Sequence, residues 1–199
     1  METKLIIAGH GGQGIVLMGM VLAHAGMAEG KEVTFFPSYG PSMRGGTANC
    51  SVIISSEEIA TPVISTPDIL IAMNEPSFRE FESRVTEKGG IFINRSLVAG
   101  SPTRDDVELF EVEATRMAGD LGNLRVANMV MLGALAGATG IVTLPTLVRS
   151  IEAVLPQRRR GLLDLNIKAL KKGNETISRS FSLSPERVDH GRKKRVTGV

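Results

Sequence analysis

The first stretch of this chain does most to limit what it can fold into. Leu5-Ile6-Ile7-Ala8 is an unbroken apolar run, and Gly9-His10-Gly11-Gly12-Gln13-Gly14 interrupts it. Ile15–Ala28 follows, a stretch in which only His24 is polar, until Gly30 stops it. A short apolar run fits a strand buried on both faces, and a stretch apolar nearly all round fits a helix packed against a sheet. Strand, glycine-rich turn and helix in that order open a βαβ unit, so the chain is committed to a sheet clad with helices. With 199 residues it has room for one such domain with a full core, and not for two.

The rest of the chain continues the alternation. Val33–Phe36 reads as a second strand ended by Pro37, and residues 37–47 form a long loop. Asn49–Ser55 and Ile59–Ile64 are expected to pair as a hairpin around Ser56–Glu58, with Pro62 confining the second strand to an edge. Ile69–Met73, Ile91–Asn94 and Leu109–Val112 are short apolar strands of the kind found in parallel sheets. Phe78–Val85 reads as helical, and helices fill 114–172. The expected fold class is therefore α/β: a mostly parallel sheet flanked by helices, with an antiparallel hairpin insertion near 49–64 and a helical C-terminal part. Residues 1–177 should form the domain. Residues 178–199 are polar, charged and aperiodic, and are expected to be a mobile tail.

Several function classes are excluded by composition. Seven Phe, one Tyr and no Trp cannot furnish a base-stacking platform. The formal charge of +2 hides an asymmetry. Residues 171–199 hold eight Lys and Arg against three acids, leaving fifteen basic and eighteen acidic residues in 1–170, a net of −3. An acidic body argues against a nucleic-acid partner, and Arg192-Lys193-Lys194-Arg195 in the tail is weak evidence for one. One cysteine, Cys50, rules out a disulfide framework and a four-thiolate cluster. Within a strand it is expected to be a buried small side chain. Scattered His10, His24 and His190 do not suit a zinc site. No signal peptide precedes the first strand, so a reducing, cytoplasmic location is expected. The uncharged stretch between Arg125 and Arg149 is long enough to cross a bilayer. Gly133, Gly137, Gly140 and Pro145 break it, so it is read as two buried helices, from about Val126 to Gly137 and from a Thr143 cap to Leu155, and no membrane partner is expected.

Two segments could carry function. Gly9, Gly11 and Gly14 satisfy G-x-G-x-x-G in the right context, and Gly12 and Gln13 complete the turn. Glycines allow close approach to a backbone, and the following helix offers unpaired N–H groups to an anion. A dinucleotide ribose would need an acid at the end of the second strand, and Phe35-Phe36-Pro37-Ser38 has none. NAD and FAD are disfavoured; a phosphate or a partner's backbone is not, and close strand-to-helix packing is an equally open reading of these glycines. The second segment is Tyr39-Gly40-Pro41-Ser42-Met43-Arg44-Gly45-Gly46, with the only tyrosine and an arginine able to fork onto a carboxylate or phosphate. Loops that follow strands share the sheet's carboxyl edge, so this one should approach the glycine turn. His10 is expected to be solvated or bonded to backbone, Met18, Met20, Met27, Met129 and Met131 to pack in helix cores, Asn128 to satisfy backbone, and Arg158-Arg159-Arg160 to be solvated or to meet an acidic partner or ligand phosphates. Glu75 and Glu82 read as acids on a helix surface.

The wording of Gly11-Gly12-Gln13-Gly14-Ile15, Pro37-Ser38-Tyr39-Gly40-Pro41 and Met43-Arg44-Gly45-Gly46-Thr47-Ala48-Asn49-Cys50 resembles the gamma subunit of 2-oxoacid:ferredoxin oxidoreductases, most of all the 2-oxoglutarate branch. The likeness continues through Pro67-Asp68-Ile69-Leu70, Asn123, Asn128-Met129-Val130-Met131-Leu132-Gly133, Asn166 and Gly173. One departure is Ser42, where such subunits usually carry Glu. The resemblance implies a Rossmann-like domain in an enzyme that converts 2-oxoglutarate, CoA and oxidised ferredoxin to succinyl-CoA, CO2 and reduced ferredoxin. Pyruvate, branched-chain 2-oxoacids and indolepyruvate are the family's other substrates. It also implies that thiamine diphosphate, Mg2+ and iron–sulfur clusters sit in alpha, beta and ferredoxin-like delta partners, and that this chain serves assembly and coenzyme A access without a catalytic residue. On that reading Gly9, Gly11, Gly12, Gln13 and Gly14 would meet a coenzyme A phosphate or a partner, and Tyr39, Gly40, Arg44, Gly45 and Gly46 would form an interface or ligand loop. A free-standing nucleotide-binding oxidoreductase is the rival reading.

Overall fold

The computed structural model describes residues 1–38, 47–177 and 181. Among them are six strands in one sheet: β1 (Glu2–His10), β2 (Glu32–Ser38), β3 (Thr47–Ser55), β4 (Ile69–Ala72), β5 (Gly90–Asn94) and β6 (Glu108–Val112). The helices are α1 (Ile15–Ala28), α2 (Glu75–Phe81), α3 (Ala114–Asp120), α4 (Ala127–Thr139), α5 (Leu144–Val154) and α6 (Leu163–Thr176). Spatial strand order is β2-β3-β1-β4-β5-β6. β1, β4, β5 and β6 run parallel, whereas β3 is antiparallel to both β1 and β2.

Side chains alternate across β1 as a doubly covered strand requires. Leu5 and Ile7 join one core with α1, α4, α5 and α6, while Ile6 and Ala8 join a second with Phe78 and Phe81 of the α2 region. Asn74 and Thr143 start α2 and α5 as side-chain caps, accepting from Ser77 N–H at 2.9 Å and Thr146 N–H at 3.4 Å. α1 ends as expected at Glu29-Gly30, with Gly30 at φ +74°. No helix among the described residues is long and apolar enough to cross a membrane.

The antiparallel part differs from the expected hairpin of 49–55 with 59–64. β3 already spends one edge on β1, from Glu2↔Ser55 to His10↔Thr47, and the other on β2, from Glu32↔Ser55 to Ser38↔Asn49. No edge of β3 is left for residues 59–64, which are irregular, with Val63 74% exposed. β2 becomes the edge strand, which is why Pro37 sits inside it opposite Cys50 without breaking a ladder. Met20 and Met27 also depart from expectation: they are 41% and 57% exposed, because α1 turns that stripe away from the sheet, while Met18, Met129 and Met131 are in the core. Within the segment read as a tail, Phe181 is buried, stacked edge-on against Phe110 at 5.7 Å, with its N–H on the Ala138 carbonyl at 2.6 Å.

α4 and α6 meet at their backbones. A Cβ on Gly133 would lie 1.9 Å from the Leu170 carbonyl oxygen, and one on Gly173 would lie 1.8 Å from that of Val130. Only glycine lets two helices approach so closely. Of the glycines that interrupt a membrane-like stretch in the sequence, Gly133 and Gly137 are therefore packing residues, and Gly140, at φ +61°, ends α4.

Candidate functional site

The glycine turn sits at the carboxyl edge of the parallel strands, beside the ends of β4 and β5. Gly9 is still within β1, and a Cβ there would strike Gln13 Oε1 and Ile15 Cδ1, each at 2.6 Å. Gln13 is a brace. Its Oε1 accepts the His10 N–H at 2.9 Å and the Asn74 amide at 3.4 Å, and its Nε2 donates to the Met73 carbonyl at 3.0 Å. The side chain thus stitches the turn to the end of β4 across the crevice where a doubly wound sheet would take a dinucleotide. A second feature works against a dinucleotide as well. β3 intervenes between β1 and β2, so the end of β2 lies two strand spacings, about 10 Å, from the turn.

Gly12 and Gly14 adopt φ of +95° and +75°. Gly12 faces open space, whereas a Cβ on Gly14 would lie 2.3 Å from Asn128 Nδ2. Asn128, buried at the start of α4, donates to the Gly14 carbonyl at 3.2 Å and accepts from Met129 N–H at 3.0 Å. The turn is therefore held from both sides, by Gln13 toward β4 and by Asn128 toward α4. His10 is exposed, with Nδ1 against the Gly11 carbonyl at 2.8 Å.

This bracing leaves the start of α1 free. Its first-turn amides have no intrahelical partner, Gly14 supplies no cap, and no acid lies in that turn. The other helices that begin abruptly are satisfied by side chains: α2 by Asn74, α5 by Thr143, and α3 by Asn94 Oδ1 on Thr115 N–H at 3.2 Å. α4 and α6 continue from the 3-10 turns Leu124–Val126 and Gln157–Leu162.

Three cavities share Gly12. One of about 410 Å³ runs past Gly14 and Asn128 to Asn166, with Arg125, Arg158 and Arg159 in its wall. A second, about 340 Å³, follows α1 along Ile15, Leu17 and Met20 beneath Arg158 and Arg159. The third, about 320 Å³, lies on the β4 side, between Gln13, Met73 and Arg125. Among the described residues no carboxylate lines any of them. Arg79, Arg84, Arg95, Arg104, Arg116 and Arg149 each bond an acid, a hydroxyl or a carbonyl. Arg125, Arg158 and Arg159 have no such side-chain partner among the described residues. A free helix start with three guanidiniums unpaired among the described residues, and no described acid beside them, has the electrostatics to receive an anion.

Sequence reasoning found the turn and named Arg158–Arg160 as a run that is solvated or meets an acidic partner or ligand phosphates. It missed Arg125, whose one signal is its place immediately before Val126 and Asn128. Tyr39, Gly40, Arg44, Gly45 and Gly46 lie outside the described residues. The strands that flank them, β2 and β3, end at Ser38 and begin at Thr47, and Thr47 pairs with His10 beside the turn. The two helix acids are not plain surface groups. Glu75 accepts from the N–H groups of Ala99 and Gly100 at 2.9 and 3.0 Å, and Glu82 is buried, with Thr103 N–H at 3.2 Å. Both fasten the loop after β5. Cys50 is buried, with Gly19 of α1 packed over its sulfur, and burial pushes its thiol up to about 12. Among the described residues no three His, Cys, Asp or Glu side chains gather to hold a metal ion.

The sequence model of the pyruvate ferredoxin/flavodoxin oxidoreductase family matches residues 4–176. Ketoisovalerate oxidoreductase subunit VorA of Methanothermobacter marburgensis is 38% identical over 173 residues, 86% of this chain, and the chain spans only 36% of that relative's length. 2-Oxoglutarate synthase subunit KorC of the same organism is 36% identical over 184 residues, covering 89% of this chain and 97% of KorC. Among solved structures, the gamma subunit of a keto/oxoacid ferredoxin oxidoreductase from Geobacter sulfurreducens PCA superposes with a TM-score of 0.75 at 28% identity, over 87% of this chain and 96% of that one.

Proposed function

Because the chain belongs to the pyruvate ferredoxin/flavodoxin oxidoreductase family as a gamma-type subunit, we propose that it works within a cytoplasmic, multi-subunit 2-oxoacid:ferredoxin oxidoreductase. The proposed reaction is 2-oxoglutarate, CoA and oxidised ferredoxin to succinyl-CoA, CO2 and reduced ferredoxin. Support for that substrate is the 2-oxoglutarate synthase relative that matches this chain nearly end to end. The ketoisovalerate relative, much longer than this chain, marks branched-chain 2-oxoacids as the second candidate.

The chain's own part is to lodge the phosphates of coenzyme A and to dock on its partners. One observation carries this: the uncapped start of α1 and Arg125, Arg158 and Arg159, unpaired among the described residues, open onto one cavity of about 410 Å³ that no described acid lines. Gln13 and Asn128 hold the turn so that Gly12 and the α1 amides stay open to the ligand, and Arg44 with its loop is assigned to a partner subunit. Thiamine diphosphate, Mg2+ and iron–sulfur clusters would supply decarboxylation and electron transfer in alpha, beta and delta partners. The described residues of this chain, with one buried thiol and no metal-holding cluster, do not fit those groups.

The experiment is co-expression with the alpha, beta and delta partners, followed by CoA-dependent ferredoxin reduction with 2-oxoglutarate, ketoisovalerate and pyruvate in turn. The complex should turn over 2-oxoglutarate with the highest kcat/KM, and the isolated chain should turn over none. Activity of the chain alone would overturn the subunit reading, and a higher kcat/KM with ketoisovalerate would overturn the substrate.

A further inference from the structure

Charge is unevenly shared along the chain. Residues 1–156 hold eleven Lys and Arg against seventeen acids, a net of −6, and residues 157–177 hold six against two, a net of +4. Pairing is uneven in the same way. Before residue 157, every described cation except Lys88 and Arg125 bonds a carboxylate, a hydroxyl or a carbonyl. The ammonium groups of Lys168, Lys171 and Lys172 in α6 have no partner among the described residues, although Asp164 and Glu175 lie one helical turn away, at the spacing that joins such pairs. The three lysines are exposed and line none of the cavities around the glycine turn. They also belong to an outermost layer. α4 is buried at eleven of its thirteen positions between the sheet and α6. α6 turns Asn166, Ala169, Leu170 and Gly173 inward and leaves Asp164, Lys168, Lys171, Lys172 and Glu175 as an outer stripe.

We infer that this stripe receives a carboxylate-rich face of a partner subunit and steers it into place during assembly. The inference rests on the reading of this chain as one subunit of a larger enzyme. Exposed lysines are strongly hydrated point charges, so the stripe acts through its field during encounter and adds little to the strength of the finished contact. The chain's own residues 178–199 do not suit it, because they hold six Lys and Arg against two acids and like charges repel. A lipid surface suits it poorly too. An interfacial helix needs a free apolar face to bury, and the apolar face of α6 is spent on the core beneath it.

The test is the rate at which the full-length chain associates with co-purified alpha, beta and delta partners, followed from about 20 to about 300 mM salt. The wild-type rate should fall about tenfold over that range. The triple variant Lys168→Glu/Lys171→Glu/Lys172→Glu should lower the low-salt rate about tenfold and flatten its salt dependence, with the dissociation rate held within about twofold. Glu175→Lys adds a cation to the stripe and should raise the rate about twofold, a gain that a misfolded variant cannot give. Glu80→Lys makes the same change in net charge on α2, across the sheet, and should leave the rate unchanged. A triple variant that associates at the wild-type rate overturns the inference and leaves the subunit reading standing, as does an equal gain from Glu80→Lys and Glu175→Lys. If the triple variant loses sedimentation with phosphatidylserine vesicles but keeps the wild-type rate with the partners, the stripe belongs to a lipid surface and the inference is overturned. If the wild type does not associate with the partners at all, the subunit reading falls and the inference with it.

Discussion

Replacing Gly14 with alanine tests whether the turn is held in a conformation that the rest of the fold imposes. At φ +75° and ψ +26° an L-residue sits in the left-handed region, at a cost of about 1–2 kcal/mol. The new Cβ would also lie 2.3 Å from Asn128 Nδ2 and 3.0 Å from its Cγ, so the amide must retreat by more than an ångström to reach ordinary contact. Asn128 is only 2% exposed, and retreat breaks its bond to the Gly14 carbonyl. A lost buried hydrogen bond costs about 1–3 kcal/mol. Against these, alanine restricts the unfolded chain and returns about 0.4–1 kcal/mol. The sum is a destabilisation of about 2–4 kcal/mol, read as a lower urea midpoint with unchanged slope. Gly12→Ala is the comparison. Its φ is +95° but nothing lies within 4 Å of the new Cβ, so only the conformational cost of about 1–2 kcal/mol, less the same return of about 0.4–1 kcal/mol, should appear. In an Asn128→Ala background the Gly14→Ala cost should shrink toward the Gly12 value, a coupling of about 1–2 kcal/mol. Equal costs at Gly12 and Gly14, or the same Gly14 cost with and without the asparagine amide, would refute the reasoning.

Gly173→Ala should destabilise by about 2 kcal/mol although alanine normally favours a helix by about 1, because the Val130 carbonyl is backbone and cannot step aside; thermal melting that shows a gain would contradict this. The Gly133→Ala/Gly173→Ala pair should cost less than the sum of the singles, since one separation of α4 from α6 relieves both. Glu29 is partly desolvated, which alone would raise its pKa. The Thr143 N–H at 2.7 Å and the Lys31 ammonium outweigh that and hold it at about 2. With a depressed folded-state pKa, its contribution is present above about 4.5 and is lost as pH falls toward 2. Glu29→Gln should therefore cost about 2 kcal/mol at pH 7 and little at pH 2, measured by denaturation across pH.

Local signals account for what could be read from the chain beforehand. The apolar run of β1, the continuous apolar face of α1, its Gly30 stop and the Thr143 cap all lie within a few residues of what they control. Strand neighbours are another matter. Asn49–Ser55 alternates well enough to pair with several strands, and only the whole sheet shows that β1 and β2 claim both its edges. The site divides the same way. Its glycines announce themselves, but Arg125 and Arg158–Arg159 are separated by the whole of α4 and α5 and meet only once those helices pack. Asn128 looked like a helix-start asparagine and proved to be the wall that makes Gly14 obligatory.

The backbone contact between α4 and α6 has a consequence beyond its own stability. Both helices begin at the cavity of about 410 Å³, α4 with Asn128 and α6 with Asn166, whose amide donates to the Leu162 carbonyl at 2.7 Å and so fixes the base of the arginine-bearing turn. Contacts between side chains can drift by rotamer changes, but a carbonyl seated on a glycine α-carbon has no such freedom. The aperture between the two walls is thus set like a caliper locked at Gly133 and Gly173, well away from the jaws. A single added methyl at either lock would widen the gap between Arg125 and Arg159 without altering any residue of the cavity wall.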